Sequence, residues 1–289
     1  MALSKLSGDE QGIILGQLRN RLEPRLAMYF SSASTELRAL LPPAVRQQLR
    51  DDHEVAAALC VKMGMRSCKE LREATQIHFF DRGLSAADLA TLGLLGPVLP
   101  ALERLILEDS SGSAGPDGVT RLAEGLTSGA LLVVTFLCLS GLHVGDAGAS
   151  ALAAALDRGA LPRLEKLQLC AAAIGDAGLV ALAPALRRRA ALETLNFDHN
   201  RFGDEGLAAL VAPPTPPAGA LSPTAGVLPK LKVLCLNYTK VSDAGCAVLA
   251  AALDSGSLPA LEKLVLDATA ASAAAQSAVY AARDGLQSQ

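Results

Sequence analysis

The chain has 289 residues, a formal net charge of −3, 3% aromatic residues and no Trp. So small a net charge gives no electrostatic drive toward nucleic acid or an anionic membrane. The shortage of aromatics excludes a base-stacking surface or an aromatic-lined ligand pocket. Hydrophobic residues reach 51%, much of it Ala and Leu, which suits small helices packed closely together.

The opening MALSKLSGDEQ lacks a signal peptide's apolar core, and the longest apolar run, Ala130–Leu139, is too short to span a bilayer. The expectation is a soluble protein of the cytoplasm or nucleus. Ser7 is placed to cap a first helix whose apolar side holds Ile13, Ile14 and Leu18, with Asp9 and Glu10 near its positive end. Pro24 suits the first turn of a second helix carrying Leu26, Met28 and Phe30; Ser31, Ser32 and Ser34 suit the cap of a third, ending near Leu41. Residues 1–42, through Leu6, Asp9, Ile14, Leu15, Leu18, Leu22 and Leu26, then Ala33, Ser34, Leu37 and Arg38, resemble an F-box, with Ser7 where that family has Pro and Leu37 where it has Trp. The resemblance implies docking of a Skp-type adaptor through Leu6, Ile14, Leu15, Leu18, Leu22 and Leu26. A helical cap over the first face of a repeat array is the simpler alternative.

Residues 43–73 read as a helical linker or cap, with Val55, Leu59 and Met63 at helical spacing and a break at Met63-Gly64-Met65. Asp51, Asp52 and Glu54 are expected near the start of that helix. Adjacent residues point different ways round a helix, so Asp51-Asp52-His53-Glu54 reads as a solvated helix start and not as a metal cluster.

From residue 74 a single pattern recurs. Leu102/Leu105/Leu107, Val134/Leu137/Leu139, Leu164/Leu167/Leu169, Leu192/Leu195/Phe197, Leu231/Leu234/Leu236 and Leu261/Leu264/Leu266 start 32, 30, 28, 39 and 30 residues apart, with a weaker copy at Ala74/Ile77/Phe79. Each strand-like spacing passes into a helix-like one, as in Ile174, Gly178, Leu182 and Leu186. Four copies place a glycine fourteen residues after the start, at Gly148, Gly178, Gly206 and Gly245, each shortly after an aspartate: Asp146, Asp176, Asp204 and Asp243. The Asp is suited to capping free amides, and the Gly to tight packing or a left-handed backbone.

These residues closely resemble ribonuclease-inhibitor-type leucine-rich repeats, over about residues 74 to 286. The resemblance implies an α/β solenoid: a curved parallel sheet on the concave wall, helices on the convex one, and a small all-α region before it. An ordinary α/β domain of Leu-rich units seldom keeps so fixed a period. Within the solenoid, residues 74–289, Ser110–Asp117 lengthens one turn, and the Pro-rich insertion 213–226 cannot continue the helix begun at Leu207. Ala275 in place of the glycine and Arg283 in place of a leucine mark a more polar final unit, where the array is expected to end.

Alternation along each strand gives three rows of side chains on the concave wall. The first is Gln76, Arg104, Phe136, Lys166, Thr194, Val233 and Lys263. The second is His78, Ile106, Cys138, Gln168, Asn196, Cys235 and Val265; the third is Phe80, Glu108, Ser140, Cys170, Asp198, Asn237 and Asp267. Asp81, Asp109, His199 and Tyr238 lie just beyond. The mixture favours a protein partner, and the candidate contact residues are Phe80, Arg104, Glu108, Phe136, Lys166, Gln168, Asn196, Asp198, Asn237 and Tyr238.

Catalysis finds little support. There is no Gly-x-Ser-x-Gly or His-Glu-x-x-His, and the histidines at 53, 78, 143 and 199 are scattered. The six cysteines form no C-x-x-C pair, so no metal or cofactor is expected. The expectation is a monomeric, non-enzymatic interaction protein. The F-box and repeat resemblances together imply substrate recognition for an SCF-type ubiquitin ligase; the same repeat class also includes the activating protein of the Ran GTPase, which makes regulation of a small GTPase, or plain scaffolding, the alternative.

Overall fold

In the computed structural model, residues 20–33, 38–39, 41–115, 117–211, 227–283 and 285–288 are described. The first expected helix, most of the third, the adaptor candidates Leu6, Ile14, Leu15 and Leu18, and the insertion 213–226 lie outside them.

Among the described residues three helices precede the sheet: α1 (Pro24–Ala33), α2 (Pro43–Lys62) and α3 (Cys68–Glu73). Pro24 opens α1 as expected, since a first-turn residue needs no free N–H. Pro43 does the same for α2, which corrects the expectation for the acidic run. That helix starts eight residues before Asp51, so Asp51 to Glu54 lie in its middle turns. There Asp52 pairs with Arg21 at 2.6 Å and also accepts from Gln48, while His53 Nδ1 lies 3.1 Å from the Arg21 carbonyl. The break falls where Gly64 takes a φ of +77°.

Seven β–α units follow: β1 (Gln76–Phe80) and α4 (Ala86–Leu95), β2 (Arg104–Glu108) and α5 (Gly118–Gly125), β3 (Phe136–Cys138) and α6 (Gly145–Asp157), β4 (Lys166–Gln168) and α7 (Asp176–Arg187), β5 (Thr194–Asn196) and α8 (Asp204–Val211), β6 (Val233–Cys235) and α9 (Asp243–Asp254), β7 (Lys263–Val265) and α10 (Ala273–Ala281). All strands are parallel and pair in chain order. The register aligns Ile77, Leu105, Leu137, Leu167, Leu195, Leu234 and Leu264 side by side. None of these seven is more than 2% exposed. Each buried Leu contributes roughly 1.5–3 kcal/mol, so the aligned leucines form the spine of one continuous interior. The Phe197 copy adapts: Phe202 stands where other units have Val144, Ile174 or Val241, and the two rings meet edge to face at 5.9 Å.

The same core runs into the N-terminal helices. Leu22, Ala56, Leu59, Cys60, Cys68 and Leu71 are buried in one cluster with Ile77 and Phe79. Lys62 pairs with Asp88 at 2.5 Å, and Asp88 closes the capping box that starts α4. Burial alone would raise the Asp88 carboxyl, but hydrogen bonds from Lys62 and Ser85 outweigh it and hold the group below the usual carboxylate value. At the far edge, the Leu264 N–H donates to the Gln287 carbonyl and the Gln287 N–H to the Glu262 carbonyl, both at 2.9 Å, so the C-terminal residues pair with β7.

The recurring Asp and Gly have a joint role. Asp146 Oδ1 accepts the N–H groups of Gly175 and Gly178, at 2.7 and 3.0 Å. Asp176 Oδ1 accepts those of Gly203 and Gly206, at 2.9 and 2.7 Å. Asp204 takes the N–H and hydroxyl of Ser242, and Asp243 those of Ser272. Each aspartate therefore caps the helix of the following repeat. The glycines are there for space and not for a left-handed backbone: a Cβ on Gly178 would lie 2.5 Å from Asp146 Oδ1 and 2.9 Å from its Cα. Arginines tie the C-terminal ends of α5 and α6 and the turn before β7. Arg158 donates to the carbonyls of Ala123 and Leu126, Arg189 to those of Leu156 and Ala160, and Arg283 to those of Leu258 and Pro259. Free carbonyls at a helix C-terminus carry partial negative charge, which a guanidinium satisfies.

Candidate functional site

The face of the sheet turned away from the helices carries the three rows. Pairing puts Gln76, Arg104, Phe136, Lys166, Thr194, Val233 and Lys263 in line, and His78, Ile106, Cys138, Gln168, Asn196, Cys235 and Val265 in a second line. Phe80 and Glu108 begin the third. Phe80, Arg104, Lys166 and Tyr238 are exposed, while Glu108, Gln168, Asn196, Asp198 and Asn237 are half-buried.

Two expected surface groups are largely covered. Phe136 is 9% exposed because the Arg104 guanidinium lies over its ring, 4.4 Å from the centroid. Cys138 is fully buried, its Sγ 3.3 Å from Glu108 Oε1 and 3.2 Å from Ser140 Oγ. Burial pushes its thiol up to about 11, and does the same for Cys170 and Cys235, both near Asp198.

One second-row and two third-row side chains are engaged in holding the strand ends. Asn196 Oδ1 accepts the Asp198 N–H at 2.9 Å, Asp198 Oδ1 the Asn237 N–H at 2.8 Å, and Asn237 Oδ1 the Asp267 N–H at 2.8 Å. This ladder crosses β5, β6 and β7 and needs the chain to turn sharply. Asp81, Ala171, His199, Tyr238 and Ala268 all adopt left-handed φ values at the equivalent position. There His199 and Tyr238 stack, 4.2 Å apart and 9° from parallel. His199 is thus packed on Tyr238 while the Asp198 carboxylate serves the Asn237 backbone.

Asp109 is not an open-face residue. It is 1% exposed and accepts from the N–H groups of Leu84 and Ser111, at 2.6 and 2.9 Å, fixing the entry to α4 and the long turn at 110–117. Burial opposes its charge, but the Ser111 side chain, with the backbone N–H groups of Ser111, Leu84 and Gly83, holds its carboxyl below the usual value. Asn200, which the sequence reading passed over, is also buried and joins β4 to β5. It donates to the Leu169 and Phe197 carbonyls and accepts the Ile174 N–H. Its signal in the sequence is an amide three residues after the last pattern position, Phe197.

Of the adaptor candidates within the described residues, Leu22 is 3% exposed in the shared core and Leu26 is 44% exposed on α1. Among the described residues no three His, Cys, Asp or Glu side chains are grouped to hold a metal ion. No described helix is long and apolar enough to cross a membrane.

Seven stacked β–α units with aligned leucines define a leucine-rich-repeat solenoid. The Leucine Rich repeat family model matches residues 191–211, which span β5 and α8. Among solved structures, an internalin (inlF) from Listeria monocytogenes str. 4b F2365 is similar at 12% identity, covering 82% of this chain and 94% of that one, with a TM-score of 0.28. No curated protein matches in sequence.

Proposed function

We propose that this chain is a protein-interaction module without catalytic chemistry of its own, holding a protein target against the open face of its sheet. The observation that supports it is the register itself, which joins side chains from seven repeats into one continuous surface. A photo-crosslinking residue at Gln168, on the open face, is expected to trap a discrete protein partner in a cell extract. One at Val180, exposed on α7, is expected not to. Adducts at Val180 alone, or at neither position, would remove the reading.

Within it, residues 1–42 dock a Skp-type adaptor, making the chain the substrate-recognition subunit of an SCF-type ubiquitin ligase. The exposure of Leu26 supports this, although Leu22 is committed to the core. The full chain should co-purify with the adaptor, and Leu15→Asp with Leu18→Asp should abolish that. If instead the chain accelerates GTP hydrolysis by an added small GTPase, the Ran-GAP-like alternative holds. Six thiols with no disulfide among them support a reducing compartment, the cytoplasm or nucleus, and we take the working form as a monomer.

A further inference from the structure

The charges on the open face are sorted by row. Arg104, Lys166 and Lys263 are the charged residues of the first row, all basic, on β2, β4 and β7. Glu108, Asp198 and Asp267 are those of the third row, all acidic, at the end of β2 and two residues past the ends of β5 and β7. The row between them, from Ile106 through Cys138, Gln168, Asn196 and Cys235 to Val265, has no formal charge. The net charge of the face is near zero, so composition hides this order. Glu103, Glu165, Glu193 and Glu262 come one residue before the basic row and leave the strand on its other side. Among the described residues Glu193 pairs with Lys232 at 3.1 Å, and none of these glutamates forms an ion pair with Arg104, Lys166 or Lys263.

The dimensions select an occupant. Along β2 four residues of strand separate Arg104 from Glu108 by about 13 Å, and an α-helix with its side chains is about 10–12 Å across. Five strand spacings from β2 to β7 cover about 24 Å, the length of roughly sixteen helical residues. Resting on the reading that the open face binds protein, we propose that it takes one amphipathic helix of a partner, lying across the strands. That helix carries acidic side chains on the flank against Arg104, Lys166 and Lys263, basic ones on the flank against Glu108, Asp198 and Asp267, and an apolar spine over the uncharged row. The strand spacing puts Arg104 about 10 Å from Lys166, close to the advance of seven helical residues, and Lys166 about 14 Å from Lys263, close to that of ten. Helical residues turn about 100° each, so the positions near those advances that stay on one flank, and carry the complementary acids, are close to i, i+7 and i+18 of the partner helix.

Three synthetic helical peptides with one shared apolar spine test this: one with Glu on one flank and Lys on the other, one with Lys on both, and one with Glu on both. Each is titrated against the full chain, with crosslinking from Gln168 to locate it. The mixed peptide is expected to bind about tenfold or more tighter than either single-sign peptide at low salt, the margin shrinking at 1 M salt. Arg104→Glu with Lys166→Glu and Lys263→Glu should transfer the preference to the all-Lys peptide. Lys166→Glu with Lys263→Glu, which leaves Arg104 on Phe136, should shift it the same way by less. If peptides crosslink at Gln168 but all three bind alike, the charge order is overturned while the open-face reading stands. If none crosslinks there, the proposal is overturned as well, and the Gln168 and Val180 comparison in cell extract then judges the broader reading by itself.

Discussion

Asp146 lies in the first turn of α6, yet its Oδ1 accepts the backbone N–H of Gly178 in α7, 3.0 Å away in the next repeat. The link is repeated by Asp176 and Gly206. A carboxylate that satisfies two free amides at a helix start gives a charge-assisted bond to each, and losing it leaves both donors short of a partner. Asp176→Ala should therefore destabilise the chain by about 2 kcal/mol, and Asp176→Asn by roughly half that. Urea midpoints read the difference. If Asp176→Ala costs no more than Glu205→Ala, an exposed acid in the first turn of α8, the inter-repeat cap is unimportant.

Gly178 and Asp146 should also be coupled. Gly178→Ala drives its new Cβ into the Asp146 carboxylate and against the Asp146 Cα. The single change is expected to cost about 3 kcal/mol. Adding Asp146→Ala removes the carboxylate clash but leaves the backbone one. A double-mutant cycle should thus give a coupling of about 1 kcal/mol, with the pair less damaging than the sum of the parts. Strict additivity would mean that α7 simply moves away.

The leucine spacing made the sheet legible because burial at that spacing has one outcome. Side chains at positions four and six of each unit must share an interior, and identical units can do so only by stacking in register. The Asp–Gly pair was visible, and so was its capping and packing role, but not that each Asp caps the helix of the next repeat. The pair's elements recur with the same gaps as the leucines, 30, 28 and 39 residues from Asp146 to Asp243, but such a gap is the same whether the bond lies within one unit or joins neighbours, so the partner had to come from the structure. Helix was legible from residue 43, but the acidic run was placed near its start because such a run resembles one, whereas Pro42-Pro43 opens α2 eight residues earlier. On the open face the rows were readable from alternation. Their burial was not, since the Arg104 and Phe136 stack and the closure of Glu108 over Cys138 depend on neighbours about thirty residues away.

Stability should depend on pH through Asp88 and Asp109. Both carboxyls are held below their ordinary value in the folded chain, against the effect of burial. A depressed carboxyl stabilises fully above its unfolded value, near pH 4, and the contribution disappears as pH falls through the folded value. Asp88→Asn, which gives up the charge facing Lys62, should lower the urea midpoint at pH 7 and do so by less near pH 2.5. Its midpoint should therefore change less than that of wild type between those two values. A deficit constant from pH 7 down to 2.5 would place the loss in packing and not in ionisation.

Cys170 and Cys235 stand on the open face, but their thiols are pushed up to about 11, first by burial and then by the nearby Asp198 carboxylate. The thiolate is the species that alkylates, and its population at pH 8 falls about tenfold for each unit that the pKa rises. Iodoacetamide at pH 8 should modify both residues about a hundredfold more slowly than a free cysteine peptide, with the rate still rising toward pH 10. Asp198→Asn removes the negative neighbour and should speed both reactions at pH 8, while also releasing the Asn237 N–H that Asp198 accepts. Intact-mass time courses with peptide mapping separate the two sites. Equal rates for the wild-type thiols and the free peptide would mean that the open face is loose enough to admit water at the level of the second and third rows.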